Sequence, residues 1–142
     1  MTEVIKQSIM LSMNQLENHV IYEQRVVHAQ WEGTIPAASI NEAIKYVWIP
    51  LVKEHRDIAI LMVDYEKASL EQLSAQDVDQ ISKTSEQLLE VRPDIRIILV
   101  VQGELEFGLA RMWEALTTVV PERTHLVRSL EEGLKIIETE IS

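Results

Sequence analysis

The chain contains no cysteine among its 142 residues. Disulfides, thiolate nucleophiles and sulfur-ligated metal centres are therefore excluded, and the composition fits a reducing, cytoplasmic compartment. Glycine and proline are also scarce, with four of each, and they form no linker or low-complexity segment. A chain of this length without a linker is expected to fold as one domain.

Basic residues and long apolar runs are also in short supply. Thirteen Lys and Arg residues against 23 Asp and Glu residues give a net charge of -10. Such a field repels phosphate backbones, so nucleic acid is not an expected partner. The longest apolar run, Ile58 to Val63, is far shorter than the roughly 20 residues that cross a bilayer. No transmembrane segment is predicted, and Met1 to Met13 lacks the pattern of a signal peptide.

Two short runs rich in β-branched residues predict the centre of a sheet. Ile58 to Val63 and Ile97 to Val101 are continuously apolar, as parallel strands buried on both faces are. Between them, Ser74 offers an N-cap, and apolar residues at helical spacing continue until Pro93. This order predicts a strand, a crossover helix and a parallel strand.

The remaining elements extend the same alternation. Leu105, Leu109, Met112, Trp113 and Leu116 fall at helical spacing and predict a helix that covers the sheet. Further strands are predicted over Thr124 to Arg128, Val20 to Tyr22 and Val26 to Trp31, and a capping box at Ser129 opens a last helix.

A second capping box, Ser39 to Glu42, is predicted to begin a helix that Pro50 interrupts, because proline removes one backbone hydrogen bond. Met1 to Asn18 is either a further helix or an arm. The sequence thus predicts an α/β fold, with a mixed sheet of four to five strands flanked by helices. Residues 1–18 form an N-terminal extension and residues 19–142 form the domain.

Patterns that carry catalysis or bind metals are missing. The histidines lie in separate elements, have no metal-binding spacing and are expected at the surface or at sheet edges; they are His19, His28, His55 and His125. No nucleophile elbow or dinucleotide-binding fingerprint occurs. No cofactor, metal or catalytic activity is predicted.

Polar residues after the two central runs define a position where a ligand could bind. In open α/β sheets the ligand crevice lies beyond the carboxyl ends of the parallel strands. Those ends are predicted at Asp64-Tyr65-Glu66 and at Gln102-Gly103-Glu104. The acids there either perform acid-base chemistry or serve as helix caps and solvated loop residues, and the structural role is favoured. Similarly, Trp48, Phe107, Met112 and Trp113 line an apolar cavity or form part of the core.

Three segments resemble the SpoIIAA-like branch of the STAS domains. Trp48-Ile49-Pro50-Leu51 is similar to that family's first helix, and Asp57 to Asp64 to the strand that follows it. The most specific segment, Phe107 to Leu116, is similar to the family's Gly-x-x-Arg-Met-aromatic helix, and Ser129 to Leu134 to its last helix. The likeness spans about Val20 to Glu138.

The resemblance implies a compact sheet flanked by helices, in a module that regulates or binds small apolar molecules without catalysis. STAS anti-sigma antagonists are switched by phosphorylation of a serine in an Asp-Ser-x-Gly stretch. Here Leu73 to Asp77 stands in that region without the Asp-Ser pair or the glycine, so Ser74 is a weak phosphorylation candidate and is better explained as a helix cap. Other relatives resemble CRAL-TRIO lipid carriers in build.

Three hypotheses for function follow. The first is a regulatory or scaffold domain that binds a protein partner or itself, with 1–18 buried in the contact. The second is a carrier of an apolar, lipid-like small molecule. Its candidate ligand-binding residues are Trp48, Pro50, Asp64, Tyr65, Gln102, Phe107, Met112 and Trp113. The third is a small acid-base enzyme that uses Asp64, Glu66 and Glu104.

Overall fold

A computed structural model of the protein describes residues 19–22, 25–117 and 123–141. Its strands are β1 (His19–Tyr22), β2 (Val26–Thr34), β3 (Ile60–Ser69), β4 (Arg96–Val100) and β5 (Thr124–Val127). Its helices are α1 (Ala37–Ala43), α2 (Ile49–Glu54), α3 (Ala75–Val91), α4 (Glu104–Leu116) and α5 (Leu130–Ile141). A π-helical segment, Ile44–Trp48, joins α1 to α2. The predicted segment 1–18 lies outside the described residues.

The described strands form one sheet in the order β1-β2-β3-β4-β5. β2 to β5 are parallel, and β1 pairs antiparallel with β2. The predicted α/β class, the central parallel pair and the antiparallel N-terminal pair are thus confirmed. None of the helices in the described part of the chain is long and apolar enough to span a membrane.

Two apolar clusters lie on opposite faces of the sheet. Side chains alternate along β3, so that Leu61 and Val63 join a large cluster with α1 to α4. Ile60 and Met62 join a smaller cluster that includes Ile137 of α5. This two-sided burial explains why the central strands have continuously apolar sequences.

β3 differs from its predicted bounds. It begins at Ile60 and continues through Ser69, beyond the predicted end at Val63. The extension pairs with the end of β2, where Glu32 to Thr34 lie opposite Lys67 to Ser69. The sequence did not predict this extension, because the end of β3 is half-buried or exposed and its polar residues lack the apolar pattern of a buried strand. Asp64, Tyr65 and Glu66 therefore lie inside a strand.

The helix before β3 begins earlier than predicted. α1 starts at Ala37 after Pro36, and Ser39 lies inside it, so the capping box predicted at Ser39 is wrong. Pro50 was predicted to interrupt this helix, but helical geometry continues without a gap from Ala37 to Glu54, and the turn before Pro50 widens instead. The N–H of Ile49 bonds to the carbonyl of Ile44 across the widened turn, which leaves Pro50 in the first turn of α2 where a missing N–H costs nothing.

Helix α4 presents a different face to the sheet than its apolar spacing predicts. Ala110 and Trp113 are its buried residues, whereas Leu105 and Leu116 are 50% and 41% exposed. These two leucines lie eleven positions apart, which places them on one side of the helix. An apolar stripe therefore faces outward at both ends of α4.

Candidate binding cavity

A partly open cavity of about 70 Å³ lies between the sheet and the helices on the large-cluster side. β3 and β4 form its floor, α3 lies across it, and the π-helical segment and α4 flank it. Its lining residues are Ile40, Ile44, Trp48, Leu61, Val63, Tyr65, Leu70, Leu73, Val78, Ile81, Ser85, Leu88, Ile97, Leu99, Val101, Leu109, Ala110 and Trp113.

Two of the residues that line the cavity have small side chains. Ala110 of α4 and Ser85 of α3 occupy positions where neighbouring turns carry larger residues. The Trp113 indole N–H donates to Ser85 Oγ at 3.0 Å, and Ser85 Oγ donates to the Ile81 carbonyl at 2.8 Å. The polar atoms on this side of the cavity are thus satisfied within the protein.

Tyr65 supplies a second polar group. It is 7% exposed, and its ring stacks on Trp31 with centroids 6.4 Å apart and planes 9° from parallel. Burial raises the pKa of the Tyr65 hydroxyl, so the phenol is neutral and keeps its proton. No charged residue is among the described residues that line the cavity.

The size of the cavity limits what fits. An engineered apolar cavity of roughly 150 Å³ binds benzene, and drug-sized ligands occupy roughly 300 Å³ or more. At about 70 Å³ the space accepts a few heavy atoms, or the end of a longer chain that leaves through the open side.

A buried ionisable pair lies on the opposite face of the sheet. His28 Nε2 is 3.0 Å from Asp64 Oδ2, and the two residues are 4% and 2% exposed. His28 was expected at the surface or at a sheet edge, and its burial corrects that expectation. The reason is that β1 pairs outside β2, so β2 is not an edge strand.

The environment of Asp64 keeps it ionised. Burial alone favours the neutral carboxyl, but hydrogen bonds from His28 and from the Glu66 N–H (2.9 Å) outweigh it. The pKa of Asp64 therefore lies below its usual value. This pair is separated from the cavity by the sheet, because Asp64 and Tyr65 are adjacent and point to opposite faces.

The other acids of the enzyme hypothesis are dispersed. Glu66 accepts a hydrogen bond from the Leu130 N–H at 2.9 Å and so caps α5. The side chain of Glu104 is 91% exposed and lies 3.4 Å from Arg128. The structure therefore does not bring Asp64, Glu66 and Glu104 into one pocket.

Some of the predicted ligand-binding residues line the cavity and others do not. Trp48, Tyr65 and Trp113 line the space, but Phe107 and Met112 only pack against the large cluster. The Arg128 guanidinium carbon lies over the Phe107 ring, 3.8 Å from the ring centroid.

Polar and helix-breaking candidates fall outside the cavity. Pro50 is half-buried and does not line it, Asp64 lies on the other face, and Gln102 is exposed after β4. Ser74 is the N-cap of α3, where its Oγ accepts from the Asp77 N–H at 3.1 Å. The capping role predicted for Ser74 is thus confirmed.

Sequence reasoning did not single out Ser85 and Ala110, the two small side chains among the lining residues. Ser85 and Ala110 lie on buried helical faces, where a small residue is the signal of a gap or of close packing. A small residue alone does not distinguish a gap from close packing, because this depends on which side chains face it from the neighbouring elements.

Comparison with protein-family models, curated proteins and solved structures finds no match. Among the described residues, no group of three His, Asp or Glu side chains is placed to hold a metal.

Proposed function

We propose that the protein is a non-enzymatic binding domain of SpoIIAA-like build that holds a small apolar molecule, or the apolar end of a larger one, in the cavity beneath α3. The observation that carries this proposal is a cavity of about 70 Å³ whose described lining residues are uncharged and mostly aliphatic or aromatic. The regular alternation of strands and helices supports the resemblance, and the cysteine-free composition supports a cytoplasmic location.

The placement of the acids also supports binding rather than catalysis. Acid-base chemistry needs a carboxyl group within hydrogen-bond reach of a substrate atom. Asp64 is paired with His28 across the sheet from the cavity, while Glu66 caps a helix. Asp64 and Glu66 thus have structural partners, and neither lies in the cavity.

Filling the cavity tests the proposal. In Ala110→Leu the added carbon atoms enter the space, whereas Ala115→Leu makes the same change on the exposed side of α4. Trp48 and Trp113 line the cavity, so their fluorescence reports occupancy directly during titration with pentane or hexane. We expect saturable binding to the natural sequence and to Ala115→Leu, and at least tenfold weaker binding to Ala110→Leu.

Native mass spectrometry of the purified protein adds a second test. A copurifying small molecule absent from Ala110→Leu would support the cavity as its site. Bare mass throughout, together with no fluorescence response to either alkane, would contradict the proposal.

The outward stripe on α4 favours a second candidate, a regulatory or scaffold role through a protein partner or self-association. Leu105 and Leu116 expose much of their apolar surface on one side of this helix. Leu105→Glu combined with Leu116→Glu should lower the sedimentation coefficient if copies associate through the stripe. Leu134→Glu, at an exposed leucine of α5, is the control. Identical sedimentation of all three proteins at high concentration would exclude self-association through α4.

A further inference from the structure

Among the described residues that line the cavity, Tyr65 is almost fully buried and has a hydroxyl for which no hydrogen bond to another described residue is found. By contrast, the Trp113 indole and Ser85 hydroxyl bond to each other. The Tyr65 hydroxyl is not among the fully buried polar atoms that lack a partner, so it retains some accessible surface and, as a neutral phenol, can donate a hydrogen bond to an acceptor on a ligand.

Trp31 packs against one side of the Tyr65 ring. The two rings are stacked, and the Trp31 indole nitrogen is buried without a hydrogen-bond partner among the described residues. The stacked pair restricts the tilt of the Tyr65 ring, so its hydroxyl keeps a defined direction. Such a fixed polar group gives orientation and specificity to an otherwise apolar site.

The lining of the cavity is also unfavourable for a charged ligand. Lys, Arg and His are absent from the described residues around the cavity, and the whole chain carries a net charge of -10. A carboxylate placed there would lose its hydration without gaining a counter-charge. The interior of the cavity thus disfavours a carboxylate group, whereas an uncharged polar group can enter it.

We infer that the ligand is an uncharged molecule with a slender apolar part and one hydrogen-bond acceptor, such as a ketone, ester, ether or alcohol, whose oxygen accepts from the Tyr65 hydroxyl. This inference rests on the proposed function and adds the chemical class of the ligand. Tyr65 acts as a specificity residue for the acceptor, while the aliphatic lining holds the chain.

Three probes of matched length test the inference: heptane, 2-heptanone and heptanoate, titrated at pH 7.5 with tryptophan fluorescence as the readout. Tyr65→Phe removes only the hydroxyl, and Tyr46→Phe makes the same change at a residue that is 61% exposed and outside the cavity. We expect 2-heptanone to bind at least tenfold more tightly than heptanoate. In Tyr65→Phe its affinity should fall about fivefold, in line with one net hydrogen bond, and the affinity for heptane should stay unchanged.

The outcomes separate this inference from the proposed function. If heptane and 2-heptanone bind but Tyr65→Phe weakens both or neither, the hydroxyl does not select the ligand and the inference is wrong, while the cavity remains a binding site. Heptanoate binding as tight as 2-heptanone would also overturn it. If none of the probes binds to the natural sequence, the proposed function itself fails. Tyr46→Phe should match the natural sequence in every titration.

Discussion

At the scale of single residues, the buried pair of Asp64 and His28 makes stability depend on pH. The folded-state pKa of Asp64 is depressed, so its carboxylate contributes stability above the unfolded-state pKa of about 3.9. That contribution is lost as the pH falls through the lower folded-state pKa. We expect Asp64→Asn to be less stable than the natural sequence at pH 7, with the difference shrinking below about pH 4.

Urea denaturation at a series of pH values measures this difference. Glu104→Gln removes a carboxylate that is 91% exposed in its side chain and should change stability little at any pH. A gap between Asp64→Asn and the natural sequence that stays constant from pH 7 to pH 3 would contradict the assignment.

Arg92 is the second residue whose environment predicts a large effect. It is 2% exposed, and its guanidinium donates to the carbonyls of Val52 at 2.9 Å and Ile58 at 2.6 Å. Arg92→Ala would leave both carbonyls buried without donors, at a cost of about 3 kcal/mol in the free energy of unfolding. Chemical denaturation measures this, with Arg111→Ala on the exposed side of α4 as the control. Equal midpoints for the two variants would show that the buried guanidinium is dispensable.

At the scale of elements, the serine caps give a prediction about helix boundaries. Ser74 and Asp77 form a reciprocal capping box at α3, with hydrogen bonds of 3.1 and 2.9 Å. Ser39 lies inside α1 and makes no cap. Ser74→Ala should therefore lower the free energy of unfolding by about 1 kcal/mol, and Ser39→Ala should change it by less than about 0.5 kcal/mol. Urea denaturation measures both changes. If Ser39→Ala lowered the free energy of unfolding more than Ser74→Ala does, this would support the predicted start of the helix at Ser39.

Two helical glycines should respond to alanine with opposite signs. A Cβ at Gly108 of α4 meets nothing within 4 Å, so Gly108→Ala should stabilise the protein by about 1 kcal/mol through helix propensity. A Cβ at Gly133 of α5 would lie 2.8 Å from Met62 Sδ, and Met62 is fully buried. The clash should outweigh the propensity gain and destabilise Gly133→Ala by roughly 1 kcal/mol. Thermal melts compare the two, and stabilisation of both would mean that α5 can shift on the sheet.

At the scale of the whole molecule, the unequal clusters predict unequal local stability. β3 and β4 are central strands buried on both faces, whereas α5 covers only the smaller cluster. Amides of β3 and β4 should exchange with solvent only through global unfolding, and those of α5 through a smaller opening of lower free energy. Hydrogen exchange at increasing urea measures both. Protection of α5 equal to that of β4 would show that the two faces unfold together.

The local sequence determined the order and type of most elements. Continuous β-branched runs predicted β3 and β4, and the serine caps at Ser74 and Ser129 predicted where α3 and α5 begin, because these signals act over a few residues. Ser39 misled because the same pattern occurs inside a helix that Pro36 already begins. Fold class was therefore predictable from periodicity and caps, but strand ends with polar residues were not.

Only the tertiary structure determined which polar side chains lie together and where the cavity is. Whether Asp64 and Tyr65 share a site depends on the extent of β3, since residues inside a strand alternate between faces while residues after it need not. Pairing of β1 outside β2 placed His28 in the interior. The cavity is lined by side chains from separate helices and strands, among them Ser85 of α3 and Ala110 of α4. Its size depends on how these elements pack on the sheet, a distance that no pattern along the chain encodes.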